Sequence, residues 1–294
     1  MKNSVATLVC HRDVATAIPC LRSVALMCDV AISVFDDGTI TLEDKYKLEE
    51  SIPGAVVVLR KDCSDRIEAL LANRPACQRY WSDNIFRLKT FAIPLIAKDV
   101  ISYVDSDILF FRPCTTAFEL DQYHCDSVFM SDVKEAYTIR PWDLIGRTSV
   151  KLCSKVNAGF ILMRHEIYDL DFVEWFLRRY STALARVPWW ADQTLWSALG
   201  ARCRTKLLSS KSMVLMRPGV ALHDAVAGHF VTTFRHLLPQ YLNLAVENQN
   251  VELRLQCDET RDCGAAFLAF DQVIRKLESL KWRRHTPSTV QVRM

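Results

Sequence analysis

The sequence predicts a layered α/β fold: a central, mostly parallel, twisted sheet flanked by helices, with a helical extension at the C-terminus. Three observations carry this expectation. Short β-branched runs alternate with amphipathic helical stretches through the N-terminal half. Those runs are continuously apolar, as strands buried on both faces must be. Glycine is scarce, with 8 among 294 residues, which disfavours a turn-dense all-β architecture.

Taken in order, the first strand is Val5-Ala6-Thr7-Leu8-Val9, followed by a helix from Ala15 to Met27 with Ile18, Leu21, Val24 and Ala25 on one face. Val30 to Phe35 and Ala55 to Leu59 read as the next two strands. A helix carrying Ile67, Leu70 and Leu71 follows a Ser64-Asp65 start signal, and another runs from Asp83 to Pro94 with Ile85, Leu88 and Ala92 on one face. Strand, helix, strand in this order implies right-handed βαβ units. The middle of the chain is strand-rich, at Val100–Val104, Ser127–Met130 and Gly159–Met163. Helices follow at Asp171–Tyr180 and Gln193–Leu199, the second ended by Gly200 as a C-cap. The last helix runs from Ala265 to Trp282, and its Phe267, Phe270, Ile274 and Leu277 stripe reads as core, as do Trp81 and Trp175. Nothing resembling a linker divides the chain. Residues 1–245 read as one domain, and 246–294 as a helical extension and tail of the same globule.

Composition narrows the function. Half the residues are hydrophobic and 24% are charged, which excludes global disorder. A formal charge of +3 without a dense basic stripe gives no case for nucleic acid. The 11 cysteines are scattered, with no Cys-x-x-Cys, and read as buried, reduced thiols. No run approaches the ~18–20 apolar residues of a membrane span. The apolar start also ends at His11-Arg12-Asp13, before a signal-peptide core of about 7–15 residues could form. A cytoplasmic protein with no transmembrane segment is expected.

The most informative stretch is Val100-Ile101-Ser102-Tyr103-Val104-Asp105-Ser106-Asp107-Ile108-Leu109-Phe110-Phe111. Two carboxylates sit at the C-terminal end of a buried strand, the end where open α/β sheets bind ligands. On an extended backbone, alternate residues point the same way, so Asp105 and Asp107 would converge on one hard cation, Mg²⁺ or Mn²⁺, and through it on a diphosphate. A solvated turn between strands is the bland alternative. A phosphatase of the haloacid-dehalogenase type is another, but it wants its pair near the first strand and a Thr or Val where this chain has Leu109.

This stretch resembles the Asp-x-Asp motif of the GT-A glycosyltransferases, which use nucleotide-diphosphosugars. Other segments follow in the order that fold implies. Phe35-Asp36-Asp37-Gly38-Thr39 is similar to the Asp-Asp-Gly-Ser/Thr loop near the nucleotide base. Phe86-Arg87-Leu88-Lys89-Thr90-Phe91 resembles the Arg/Lys-Leu-Phe-Asp segment of the family-8-like branch, with Ala92 where that branch often has Asp. Asn157-Ala158-Gly159-Phe160 and Ala191-Asp192-Gln193-Thr194 resemble the two segments that flank the donor sugar. His229-Phe230 followed by Arg235 resembles a late His-aromatic element whose His is a third metal ligand. The likeness spans residues 4 to 240.

The resemblance implies a metal-dependent transferase moving a sugar from a nucleotide-diphosphosugar, with a UDP-sugar favoured, to an acceptor hydroxyl, with retention of configuration. The metal ligands are then Asp105, Asp107 and His229, with His223 a weaker candidate. Donor contacts fall to Asp36, Asp37, Lys89, Asp105 and Arg235. Arg87 and Lys89 lie two apart on a helix and cannot both face one ligand, and Arg60 and Lys61 are weaker candidates for the same task. Asp192 would stabilise the sugar, doubling as a helix cap, and Asn157 would fix its hydroxyls. Trp189, Trp190 and Trp196 flank Asp192 and suit stacking on a pyranose face. The acceptor, whether glycan, lipid-linked or small molecule, has no readable signal. Two alternatives remain: a metal-dependent phosphohydrolase of nucleotides or phosphosugars, and a catalytically silent nucleotide-sugar-binding protein, the latter suggested by Ala92.

Overall fold

A computed structural model describes residues 3–84, 86–145, 150–247, 252–271 and 273. The chain opens with β1 (Ser4–Val9), α1 (Val14–Met27), β2 (Ala31–Asp36), α2 (Leu42–Ser51), β3 (Val56–Val58), α3 (Arg60–Leu71) and α4 (Pro75–Asp83). A π-helical turn (Leu88–Ala92) leads into the short α5 (Ile93–Ile96). β4 (Val100–Val104), β5 (Ile108–Phe110), β6 (Ser127–Ser131), β7 (Leu152–Cys153) and β8 (Val156–Arg164) fill the middle, followed by α6 (Leu170–Arg179), α7 (Ser181–Leu184) and α8 (Ala191–Gly200). β9 (Thr205–Leu208), β10 (Met213–Leu215), β11 (Ala227–His229), α9 (Leu242–Glu247), β12 (Cys257–Glu259) and β13 (Asp262–Cys263) complete it.

The main sheet has 8 strands in the order β12-β9-β6-β8-β4-β1-β2-β3. Only β8 and β12 run against the rest, so the expected mostly parallel sheet is present. A second sheet, β10-β11-β5, sits beside it. Apolar side chains pack on both faces of the main sheet. One layer joins α1 and the small sheet through Leu21, Val24, Val34, Phe110 and Val226. The other joins α3, α6 and α8 through Ile67, Phe91, Ile161, Phe176 and Trp196. All 11 cysteines are free thiols, and most are buried. Among the described residues, no helix is long and apolar enough to cross a membrane.

Several expectations change. The helix expected from Asp83 to Pro94 is instead the end of α4, then the π turn in which the Ile93 N–H donates to the Leu88 carbonyl, then α5. α3 starts at Arg60, ahead of Ser64-Asp65. Gly200 is the last residue of α8 rather than its cap, which is Ala201, and a Cβ at Gly200 would meet the Phe129 ring at 2.8 Å. Phe267 and Phe270 are both exposed, while Leu268 turns inward from the same helical stretch. Ile274 and Leu277 lie outside the described residues. Trp81 is core, and Trp175 is half-buried against Phe172 and Tyr180.

Candidate active site

The centre of the site is the turn joining β4 to β5. The chain leaves β4 at Val104, and the Ile108 N–H then donates to the Asp105 carbonyl at 3.2 Å. The turn, not an extended pleat, brings Asp105 and Asp107 together, which corrects the expected geometry. β5 crosses into the small sheet, where Ile108 lies opposite His229 of antiparallel β11. That pairing carries the imidazole to the acids. His229 Nε2 lies 3.1 Å from Asp107 Oδ1 and 3.6 Å from Asp105 Oδ2. One donor atom from each of the three lies within 4.8 Å of the others.

Asp107 and His229 are buried, whereas Asp105 keeps 27% of its side chain open to solvent. Burial would lower the His229 pKa, but Asp107 and Asp105 outweigh it and hold the ring above its ordinary value. Burial would raise Asp107, but His229 and Arg235 keep it below the usual carboxylate range. Arg235 bridges two elements, with Nε donating to Asp107 Oδ2 at 2.8 Å and Nη1 lying 2.9 Å from Asp13 Oδ2. His229 Nδ1 is buried and has no hydrogen-bond partner. The imidazole has room because position 159 is glycine: a Cβ there would sit 2.6 Å from His229 Cε1.

A second cluster adjoins the first. Lys89, buried on the π turn, places Nζ 3.3 Å from Asp105 Oδ1 and 3.1 Å from Asp192 Oδ2, and 4.6 Å from the centre of the Tyr103 ring. The Tyr103 hydroxyl donates to Asp105 Oδ1 at 2.6 Å. Burial would lower the Lys89 pKa, but the two carboxylates hold it above its ordinary value. Burial raises Asp192, and Lys89 offsets only part of that. Two carboxylate oxygens and an imidazole nitrogen are a donor set that suits a divalent cation such as Mn²⁺, and the residues present fit such an ion.

No protein-family model matches the sequence, and neither does any curated protein. Solved structures do match. Mouse xyloside xylosyltransferase 1 superposes with a TM-score of 0.54 at 13% identity, over 80% of this chain and 99% of that one. The fold is that of the GT-A glycosyltransferases. A second match, the bifunctional glycosyltransferase WbbM, has a TM-score of 0.52 at 10% identity, over 84% of this chain and 49% of that one.

On this GT-A scaffold, the remaining expected residues take varied roles. Asn157 of β8 accepts the Gly159 N–H at 2.8 Å and donates to Asp132 Oδ2 at 3.2 Å. Asp192 is not the helix cap it was expected to be; Trp190 holds that position, and Asp192 turns to Lys89. Trp196 is core, which removes it from the sugar-stacking group, while Trp189 is 62% exposed and Trp190 receives the Lys134 ammonium. Asp36 Oδ1 accepts from the N–H groups of Gly38 and Ile40 and so shapes its own loop, where Gly38 adopts φ 104°. Asp37 accepts from Thr39 and is half-exposed. Arg87 turns away from Lys89 to the Trp81 and Ser82 carbonyls. His223 is exposed and bonds Asp224, apart from the Asp-Asp-His trio.

One residue, Asp132, escaped the sequence reading, and Gln193 entered it only as part of the Asp192 segment, with no role of its own. Asp132, just past β6, gathers Asn157 and Gln193, whose Nε2 lies 3.4 Å from Asp132 Oδ2 and 3.1 Å from the Ala136 carbonyl. Its only signal was its place as the first carboxylate after an apolar strand. Gln193 was hidden beside Asp192.

Proposed function

We propose that this protein transfers a glycosyl group from a nucleotide-diphosphosugar, a UDP-sugar in the first instance, to an acceptor hydroxyl, with retention of configuration. The observation that supports it most is the convergence of Asp105, Asp107 and His229 at the ligand-binding edge of a GT-A sheet. When bound there, a divalent cation supplies Lewis-acid neutralisation of the departing diphosphate. Arg235 fixes Asp107 in the orientation that faces His229. Lys89 neutralises Asp105 and Asp192 together, so the two acids share a confined space without mutual repulsion. In this reading the negative charge of Asp192 opposes the positive charge that grows on the sugar ring as the bond to phosphate breaks. Asn157, Gln193 and Asp132 offer amide and carboxylate groups to the sugar hydroxyls, and the Asp36–Thr39 loop offers Asp37 to the base or ribose.

The test uses Asp105→Asn and Asp107→Asn, which keep side-chain volume beside Arg235 and His229. Calorimetry with UDP and Mn²⁺ should show metal-dependent binding in the wild type and its loss in both variants, with melting temperatures retained. Undiminished metal-dependent binding in both would refute the assignment. Release of UDP from the donor that depends on added acceptor separates transfer from phosphohydrolysis.

A further inference from the structure

Each of the three candidate metal ligands is held by a different device. Arg235 ties Asp107 through Oδ2 and leaves Oδ1 3.1 Å from His229 Nε2. Gly159 leaves the space that the His229 ring fills. Asp105 is the least confined of the three, since part of its side chain meets solvent while Asp107 and His229 are buried. A carboxylate in a turn can rotate about its Cβ–Cγ bond and present either oxygen, or both, to a cation. The two contacts that restrain Asp105 fall on the same atom. The Tyr103 hydroxyl donates to Oδ1 at 2.6 Å, and Lys89 Nζ lies 3.3 Å from that oxygen. Among the described residues no hydrogen bond reaches Oδ2, which faces His229 Nε2 at 3.6 Å.

We propose that Tyr103 is a positioning residue, which reserves Asp105 Oδ2 for the cation by locking Oδ1 to the protein. The inference rests on the cation reading of Asp105, Asp107 and His229. The two contacts on Oδ1 respond differently to an incoming dication. The Lys89 ammonium is divided between Asp105 and Asp192, at 3.3 and 3.1 Å, and a dication nearby repels it. The Tyr103 hydroxyl is neutral and meets no such repulsion. At 2.6 Å its bond falls in the short range of O–H···O⁻ contacts, and it orients the carboxylate without cancelling its charge. Tyr103 is itself fixed, buried on β4 two residues before Asp105, with Lys89 Nζ 4.6 Å from the ring centre. A carboxylate held to one open oxygen suits a small ion with regular octahedral geometry, such as Mg²⁺ or Mn²⁺. Ca²⁺ takes carboxylates through one oxygen or two, in flexible geometry. The lock therefore favours Mn²⁺ over Ca²⁺.

Tyr103→Phe removes the hydroxyl and keeps the ring that Lys89 overlies. Calorimetry on the full chain with Mn²⁺ and with Ca²⁺, each with and without UDP, reads the effect. Mn²⁺ affinity should fall about tenfold, Ca²⁺ affinity should change by less than about twofold, and the melting temperature should be retained. A purely structural role for Tyr103 would lower both affinities together. An unchanged ratio of Mn²⁺ to Ca²⁺ affinity, whether both fall or neither does, would overturn the proposal. So would a collapse of the melting temperature, which would make the hydroxyl a support of the fold. Asp107→Asn separates the lock from the site it serves. Metal binding that Asp107→Asn abolishes, together with an unchanged ratio in Tyr103→Phe, refutes the lock alone. Metal binding that survives Asp107→Asn, or is absent from the wild type, refutes the cation site and the lock with it.

Discussion

Lys89 shows how one side chain holds a site together. Replacing it with Met leaves Asp105 and Asp192 facing each other with no cation between them, and should cost about 3–5 kcal/mol in urea unfolding. Adding Asp192→Asn should recover part of that loss; no recovery would mean that Lys89 acts through packing alone. Gly159 acts through space rather than charge. Gly159→Ala drives a methyl to 2.6 Å from His229 Cε1, so the ring must shift. Mn²⁺ affinity should fall about 10–100-fold while stability changes little. Asp44 sets a pH effect. Burial would raise its pKa, but hydrogen bonds from His11 and Thr41 hold it at about 2, against an ordinary 3.8. A depressed carboxylate stabilises the fold when ionised, so its contribution is complete above pH 3.8 and is lost as pH falls towards about 2. The stability gap between wild type and Asp44→Asn should close over that interval, and a constant gap would contradict the assignment.

Individual elements differed in how far the sequence revealed them. β1, β2 and β4 were legible because both of their faces are covered, which leaves an unbroken apolar run. α2 was missed because Leu48 is its only buried apolar residue, too little for a helical stripe, although Thr41 and Asp44 form a capping box at its start. Thr41→Ala should cost about 1 kcal/mol of stability. β5, β10 and β11 have three residues each, too few to show a period, so the strand that delivers His229 left only a motif as its trace. Asp132 belongs to no motif at all. The segment after it is tied to α8 by Gln193, which reaches the Ala136 carbonyl, and to the chain just past α7 by Arg186, which pairs with Asp143 and reaches the Thr138 carbonyl at 3.5 Å. Arg186→Met should therefore raise amide hydrogen exchange across 133–145 without affecting β1 or β2. Unchanged exchange there would show that Gln193 suffices.

At the scale of the molecule, the parallel half of the sheet was foreseen, and the antiparallel insertion of β8 between β4 and β6 was not. Strand direction is decided by long-range connections, which leave no local periodicity. The far edge of the sheet is closed by β12, whose Asp258 lies opposite Leu207 of β9. Asp258→Pro should unpair that edge and produce concentration-dependent association in light scattering. One consequence concerns the order in which the molecule is made. Asp107 waits for His229 and Arg235, which emerge from the ribosome only after the strands of the parallel half have all been synthesised. A nascent chain can therefore complete the parallel half of its scaffold before Asp107 meets the imidazole and the guanidinium that fix its orientation.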